Sequence, residues 1–321
     1  MPETLTLAQI QNARQHIAPC VRRTPLTASV ALSERLKTNV YVKLELFQKT
    51  GSFKVRGAFN KALGLAPEER GQGLVAVSGG NHAQAVAYVA RTLALKSVIL
   101  MPESTPLNYV NATRGYGAEV KFAASVGAAF AEVAEYERQG WAYIHPFDDP
   151  VVMAGQGTIG LEILDDVPQV TDIIVSIGGG GLIGGIATAV KSLKPSVRMW
   201  GVETEGADCM AKSLAAGQVV TLDAITSIAR TLGAPAPSEF TLQLARDLLE
   251  SVIVVSDAEA LAALRVLLER LKVLTEPAAS CTLAAADRLK DHFSKERHVV
   301  LVLCGGNMPF EDLARLPGPQ A

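Results

Sequence analysis

A lysine lies among small and apolar residues in the segment KTGSFKVRGAFN, residues 49–60. Lys54 stands between Phe53 and Val55, near the start of a predicted helix, whereas lysines normally face solvent. A lysine amine can also react, because it forms Schiff bases with carbonyl compounds. The segment therefore allows two interpretations: an ordinary surface lysine, or an amine that is held in place for chemistry.

Four consecutive glycines form a second candidate site. Residues 178–181 follow the apolar run DIIV and open a predicted helix within SIGGGGLIGG, residues 176–185. Each glycine destabilises a helix by roughly 1 kcal/mol relative to alanine, but the run lets a ligand approach bare N–H groups at a helix N-terminus. This position favours a phosphate-binding loop over a flexible turn. Neither GxxxxGK[ST] nor GxGxxG occurs here, so a nucleotide is not the expected ligand.

Another strand-to-helix turn, Ser-Gly-Gly-Asn at residues 78–81, exposes backbone donors that can hold a carboxylate. The Asn81 amide can bond a phenolic oxygen, although by itself this asparagine fits a simple N-cap. His82, in the first turn of the helix, fits a structural role better than acid–base catalysis.

A third apolar strand, in VLVLCGGN at residues 300–307, ends in a cysteine and two glycines. Cys304 alone fits a core residue, and no evident helper would activate it as a nucleophile. One lysine and three glycine-rich strand ends together match a phosphate-bearing aldehyde cofactor. Such a cofactor needs an amine, a phosphate cradle, an amide and a weak polar group.

The elements that position these residues alternate between β-branched runs and helical patterns, as in a parallel sheet covered by helices on both faces. Strands are predicted at residues 40–44, 74–77, 97–101, 119–122, 142–145, 173–177, 197–202, 253–255 and 298–303. Helices are predicted at residues 7–18, 57–65, 81–95, 107–116, 126–139, 151–164, 182–193, 258–271 and 277–291. Nine strands are many for one open sheet, so two lobes that share a cleft are expected.

The composition indicates a cytoplasmic enzyme or small-molecule binder. The chain has 321 residues, of which 49% are hydrophobic, and its net charge of −2 predicts no nucleic-acid or membrane partner. The N-terminus lacks the pattern of a signal peptide, and no apolar run is long enough to span a membrane. The cysteines lack a CxxC pair, which is typical of free thiols in a reducing compartment.

The sequence resembles the fold type II pyridoxal phosphate enzymes, specifically the threonine/serine dehydratase and serine racemase branch. The matching segments are TPL at 24–26, SFKVRGA at 52–58, SGGNHAQ at 78–84, MPESTP at 101–106, HPFDDP at 145–150, GQGTIGLEI at 155–163, GGGGLIGG at 178–185, GVE at 201–203, TEP at 275–277 and CGGN at 304–307. They occur in family order over essentially the whole chain, and the ordered set is far more specific than any one motif.

The resemblance implies an α/β fold of two open twisted, mostly parallel sheets with helices on both faces, like the β subunit of tryptophan synthase. It implies a large cofactor-binding domain, residues 1–70 plus 150–321, and a small inserted domain, residues 71–149, that closes over the substrate. Relatives are commonly dimers or tetramers, so a homodimer or homotetramer is expected.

The implied cofactor is pyridoxal 5'-phosphate, with Lys54 as the Schiff-base lysine and catalytic base. Asn81 would contact the ring hydroxyl, and Cys304 would face the pyridine nitrogen. The residues implied for the cofactor are Phe53, Lys54, Asn81, Gly178, Gly179, Gly180, Gly181, Leu182 and Cys304. The residues implied for an amino-acid substrate are Ser78, Gly79, Asn81 and His82.

The expected reaction converts a small L-β-hydroxy amino acid, threonine or serine, to a 2-oxo acid and ammonia by β-elimination. A neutral thiol does not keep the ring nitrogen protonated as a carboxylate would, which favours early loss of the leaving group over transamination. Gly79 stands where the family's racemases have a serine, and glycine cannot carry a proton, so elimination is favoured over racemisation.

Three departures from the family pattern affect these expectations. Residues 227–235, SIARTLGAP, replace the usual IADG, so Thr231 or its neighbour takes the place of a glycine and the substrate side chain is not fixed. Cys209 stands where an aspartate ligand would follow Glu203, so no metal site is predicted. Little sequence follows CGGNMPFEDLARL, so no regulatory domain and no feedback inhibition by isoleucine are expected.

Three alternatives stay open. The first is a dehydratase or racemase for another amino acid, such as 3-hydroxyaspartate, phenylserine or serine. The second is a binding protein that keeps the fold without turnover, which would not need the amine of Lys54. The third is an NAD-dependent oxidoreductase, which would need the missing GxGxxG pattern.

Overall fold

The computed structural model describes residues 4–124 and 126–314. Its strands are β1 Leu26–Ala28, β2 Asn39–Leu44, β3 Leu74–Val77, β4 Ser97–Pro102, β5 Glu119–Ala123, β6 Ala142–Tyr143, β7 Asp172–Ser176, β8 Arg198–Thr204, β9 Ser251–Val255 and β10 His298–Leu303. Its α-helices are α1 Leu7–Ile17, α2 Val30–Leu36, α3 Val55–Gly64, α4 Asn81–Thr92, α5 Leu107–Gly115, α6 Val126–Arg138, α7 Pro150–Asp166, α8 Gly181–Leu193, α9 Cys209–Ala216, α10 Glu239–Leu248, α11 Asp257–Val266, α12 Pro277–Arg288 and α13 Phe310–Ala314.

The strands form two sheets. The large sheet has the order β1-β2-β10-β7-β8-β9, and its pairs are parallel except for β1 with β2. The small sheet has the order β5-β4-β3-β6 and is parallel throughout. All five residues of β7 are buried, which is typical of a parallel strand covered by helices on both faces. The predicted fold class is therefore confirmed.

Each candidate segment follows the carboxyl end of a strand. The four glycines follow β7, Cys304 follows β10, the turn before Asn81 follows β3, and the HPFDDP segment follows β6. Loops at this end of an open parallel sheet are the usual place for a ligand site. The topology therefore gathers segments that are far apart in the sequence.

All nine predicted strands are present, but β1 was missed because its three residues form only an antiparallel edge. Four helices were also missed, namely α2, α9, α10 and α13. Helix α10 did carry a local signal, because Ser238 caps it and forms a capping box with Thr241.

The large sheet draws its strands from residues 26–44 and 172–303, and the small sheet from residues 74–143. The domain boundaries near residues 70 and 150 stay predictions. No helix within the described ranges is long and apolar enough to cross a membrane. Residues 315–321 lie outside the described residues. The expectation of no regulatory domain was drawn from this end of the sequence, and it stays a prediction.

Candidate active site

Lys54 lies at the N-terminus of α3, where its amine faces the protein. Its Nζ donates a hydrogen bond of 2.6 Å to the carbonyl oxygen of Pro146. The Phe53 N–H donates to the Cys304 carbonyl at 3.1 Å, which ties this segment to the end of β10. Burial lowers the pKa of the Lys54 amine from 10.5 to about 8, although nearby Cys304 and Glu276 act in the opposite direction. An appreciable fraction of these amines is therefore neutral near pH 8.

The tetraglycine loop, residues 178–181, joins β7 to α8 and has no room for side chains. Gly180 has a φ of +96°, in the left-handed region that favours glycine. A Cβ on Gly179 would lie 2.3 Å from the Phe147 ring, and one on Gly181 would lie 2.6 Å from the Phe147 carbonyl oxygen. The first N–H groups of a helix lack partners within it, so the loop offers bare donors to an anion.

One short segment links the lysine to this loop. The Pro146 carbonyl accepts the hydrogen bond from Lys54, and the next residue, Phe147, lies against the tetraglycine loop. The amine and the loop thus contact two consecutive residues of the chain. A cofactor that carries both a carbonyl group and a phosphate requires this juxtaposition.

The turn of residues 78–80 leads into α4, and Gly80 rather than Asn81 is the N-cap. The Asn81 Nδ2 donates to the Glu276 carboxylate at 2.8 and 3.1 Å. Its Oδ1 accepts a bond of 2.8 Å from the Asn307 amide. Asn81 therefore joins the small sheet to two segments of the large-sheet region, and the simple N-cap interpretation of this residue is wrong.

Gly79 lies against a hydroxyl group from another segment. A Cβ on Gly79 would lie 2.6 Å from the Oγ1 of Thr105. That buried oxygen has no hydrogen-bond partner in the described part of the chain. The neighbouring Ser78 Oγ accepts a bond of 3.1 Å from the Gly80 N–H. A hydroxyl group is therefore present beside Gly79 although Gly79 itself has no side chain. The glycine alone does not favour elimination over racemisation.

Glu276 is a candidate that the sequence did not single out. Its side chain is buried, and the Thr231 hydroxyl donates to its Oε1 at 3.0 Å. Burial raises the pKa of this carboxyl to about 7, although the Thr231 and Asn81 donors and the Lys54 charge act in the opposite direction. In the sequence, a glutamate directly before Pro277 at a helix start resembles an ordinary, exposed helix cap. The sequence therefore gives no sign that Glu276 is buried.

The Cys304 thiol is also buried, and the Ser176 hydroxyl donates to its Sγ at 3.3 Å. Burial and the nearby Glu276 raise the pKa of the thiol to about 12, so the group stays neutral at physiological pH. A neutral thiol agrees with the weak polar partner expected for the pyridine nitrogen. The contact itself stays a prediction.

His82 is used as a structural link. Its Nε2 bonds to the Ile144 carbonyl oxygen at 2.8 Å, which connects α4 to the segment after β6. Burial, with a smaller effect from the Lys54 charge, lowers the pKa of the ring to about 3. The imidazole is therefore neutral at physiological pH, and the expected role of His82 in substrate binding stays a prediction.

Glu203 binds the N-terminus of α9, in the segment that departs from the family's metal-binding pattern. Its carboxylate accepts hydrogen bonds from the N–H groups of Met210 at 3.0 Å and Ala211 at 2.8 Å, in the first turn of α9. Burial raises the pKa of this carboxyl to about 8. Its oxygens are therefore occupied by backbone donors.

The site fits a phosphate-bearing aldehyde. It combines an amine of pKa about 8, a cradle that a Cβ would fill, and a neutral thiol. Leu182, which follows the cradle in α8, is buried in the core of the large sheet. Fold and site together define an α/β enzyme of the pyridoxal phosphate type.

The chain matches the family model described as pyridoxal-phosphate dependent enzyme over residues 17–305, and it belongs to that family. A catabolic L-threonine dehydratase of Staphylococcus aureus (strain N315) is 41% identical over 98% of this chain and 91% of its own length. Maize serine racemase is 36% identical with a TM-score of 0.93, over 98% of this chain and 97% of that one. The threonine deaminase of T.th. is 39% identical with a TM-score of 0.86, over 95% of this chain and 99% of that one. The resemblance drawn from the motifs is confirmed, and the cofactor is pyridoxal phosphate.

Proposed function

We propose that this protein is a pyridoxal phosphate-dependent dehydratase that converts a small L-β-hydroxy amino acid, threonine or serine, to a 2-oxo acid and ammonia. The observation that carries the proposal is the Lys54 amine, with its lowered pKa, which Pro146 and Phe147 connect to the tetraglycine loop. The names of the threonine dehydratase and threonine deaminase relatives support the same reaction. The serine racemase relative keeps racemisation as the second candidate, and the Thr105 hydroxyl beside Gly79 is the observation that favours it.

When bound, pyridoxal phosphate supplies an aldehyde that captures amino groups and a ring that stabilises negative charge at Cα. The N–H groups of the tetraglycine loop would hold its phosphate at the N-terminus of α8. The N–H groups of Gly79 and Asn81, at the N-terminus of α4, would hold the substrate carboxylate, because those of Ser78 and Gly80 already donate within the protein. Helix N-termini would then bind both anions, the cofactor phosphate and the substrate carboxylate, and so orient the substrate relative to the cofactor.

Lys54 is the base in this arrangement. Its Nζ takes the proton from Cα, because burial lowers its pKa far enough for a neutral amine to be present near pH 8. The Glu276 carboxylate lies close enough to affect that pKa, and it also orients the Asn81 amide. The Cys304 thiol stays neutral throughout, so it does not add a charge to the site.

The test is a panel of β-hydroxy amino acids assayed for release of 2-oxo acid and ammonia. Lys54→Ala should lower kcat/KM by about a thousandfold or more, because the variant lacks the base. Lys49→Ala is the matched control, because the Lys49 amine lies 5.9 Å from the centre of the Tyr88 ring, which packs against Phe59 and Tyr116. Unchanged turnover in Lys54→Ala would refute the proposed mechanism.

A cytoplasmic location and a homodimer or homotetramer also remain proposals. They follow from the sequence resemblance, and sedimentation of the purified holoenzyme tests the assembly directly. A monomer at micromolar concentration would contradict it.

A further inference from the structure

The loop after β4 places a hydroxyl group beside the turn of residues 78–81. Strands β3 and β4 are parallel neighbours, so the loops that follow their carboxyl ends lie side by side. Thr105 belongs to the second of these loops, and its Oγ1 lies 2.6 Å from the place that a Cβ on Gly79 would take. The hydroxyl group therefore adjoins the backbone of the turn that is expected to hold the substrate carboxylate.

The Thr105 hydroxyl is held in position without a hydrogen-bond partner. The Thr105 N–H donates to the Pro102 carbonyl oxygen at 3.0 Å, which closes the loop. Pro106 follows and restricts the backbone of the residue before it, and a β-branched side chain is stiff at χ1. The Oγ1 is buried and has no partner among the residues that the structure describes. An unpaired buried hydroxyl is unfavourable, so this donor is ready for a ligand.

Two backbone groups of the turn are donors of the same kind. The N–H groups of Ser78 and Gly80 already donate within the protein, at 3.1 Å in each case. Those of Gly79 and Asn81 have no acceptor in the described ranges of the chain. A carboxylate only accepts hydrogen bonds and has about four lone-pair positions. The two N–H groups and the Thr105 hydroxyl can therefore donate to one carboxylate together.

We propose that Thr105 is a substrate-binding residue, whose hydroxyl donates a hydrogen bond to the carboxylate that Gly79 and Asn81 also bind. This inference rests on the dehydratase function proposed above and adds a residue from a second loop to its substrate site. No covalent bond forms or breaks at Thr105. The carboxylate is bound alike before and during the reaction, so the contact contributes to affinity rather than to the rate of the bound substrate.

The experiment removes the hydroxyl group while it keeps the shape of the side chain. In the Thr105→Val holoenzyme, KM for threonine and serine should rise about tenfold or more, because a hydrogen bond to a charged group is lost. The value of kcat should change less than about twofold, as expected when binding is lost equally in the ground state and the transition state. Thr105→Ser keeps the donor and should return KM to within about threefold of the wild-type value.

Thr113→Val is the matched control. The Oγ1 of Thr113 is also buried and without a partner in the described part of the chain, but this residue lies within α5. KM should be unchanged in this variant. In both valine variants the free energy of unfolding should stay the same or rise, because a methyl group replaces an unpaired buried hydroxyl. Thr105→Ala also removes the hydroxyl and serves if Thr105→Val does not fold.

A binding measurement separates this inference from the dehydratase proposal. L-Alanine carries the carboxylate but no β-leaving group, whereas ethylamine has no carboxyl group. In calorimetry with the holoenzyme, Thr105→Val should weaken the binding of L-alanine about tenfold or more and change that of ethylamine less than about twofold. This result, without release of a 2-oxo acid from any β-hydroxy amino acid, would sink the dehydratase function alone.

Two outcomes would overturn the inference. The first is a Thr105→Val holoenzyme that binds L-alanine as tightly as the wild type. If that variant also loses the formation of D-serine from L-serine, measured by chiral chromatography, the hydroxyl is a proton carrier for racemisation instead. The second is an equal loss of affinity for L-alanine and ethylamine, or an equal rise of KM in Thr113→Val, because either result would indicate a structural effect.

Discussion

Two clusters of buried ionisable groups flank the start of α3, and they are built in opposite ways. The paired cluster comprises Lys43, Glu45, Arg56 and Glu162. The Arg56 guanidinium donates to both carboxylates at 2.7–3.0 Å, and the Lys43 amine lies 2.5 Å from Glu162. The two cations therefore face two anions, with every side chain buried.

The reactive cluster comprises Lys54, Glu276 and Cys304. The Lys54 amine has a carbonyl oxygen as its hydrogen-bond partner, and Glu276 accepts from neutral amide and hydroxyl donors. Neither charge is therefore neutralised by a direct ion pair in the described part of the chain. Only one residue separates Lys54 from Arg56, yet their surroundings differ completely.

The pKa values follow this difference. In the paired cluster the opposite charges outweigh burial, so the pKa of Arg56 is raised and that of Glu162 is lowered. In the reactive cluster burial dominates, so the pKa of Lys54 falls to about 8 and that of Glu276 rises to about 7. Compensated charges stay ionised and hold the fold, whereas poorly compensated ones titrate near neutral pH and can transfer protons.

The largest expected effect is a loss of stability when the paired cluster loses its arginine. Arg56→Met leaves two buried carboxylates with too little positive charge, and the free energy of unfolding should fall by about 3–5 kcal/mol. Urea denaturation monitored by circular dichroism measures this change. Arg14→Met is the control, because the Arg14–Asp165 pair of 2.6 Å is solvent-exposed and should contribute less than about 1 kcal/mol. Equal losses in both variants would contradict the special role of the paired cluster.

A smaller effect is expected from the cradle beside the reactive cluster. Gly179→Ala places a Cβ 2.3 Å from the Phe147 ring, so the ring or the loop must shift. Cofactor affinity should fall by about tenfold or more, since a displacement of this kind disturbs the phosphate donors. Equilibrium dialysis with pyridoxal phosphate measures it. Gly115→Ala, whose Cβ would meet no atom within 4 Å, should leave the affinity unchanged. Unchanged affinity for pyridoxal phosphate in Gly179→Ala would show that the loop does not bind the phosphate.

Some features of these regions can be predicted from the sequence, and others cannot. Glycine runs and apolar strands are local signals, so the nine strands and the tetraglycine loop could be predicted. The contact of Asn81 with Glu276 joins residues 195 positions apart, and it depends on how the two sheets meet. The Thr105 hydroxyl beside Gly79 has the same origin. Long-range packing decides which polar groups are buried together, and no local pattern records it.

The central claim is that the Lys54 amine carries the cofactor and does so because burial lowers its pKa. A base with a lowered pKa is protonated below that value and neutral above it. The rate at which the apoenzyme captures pyridoxal phosphate should therefore rise about tenfold per pH unit below pH 8 and level off above it.

Borohydride reduction fixes the cofactor to the amine that holds it, and peptide mass spectrometry locates the label. The account predicts label on Lys54 with a capture midpoint at about pH 8. Label on another lysine, or a capture rate that keeps rising to the ordinary lysine pKa of 10.5, would contradict it.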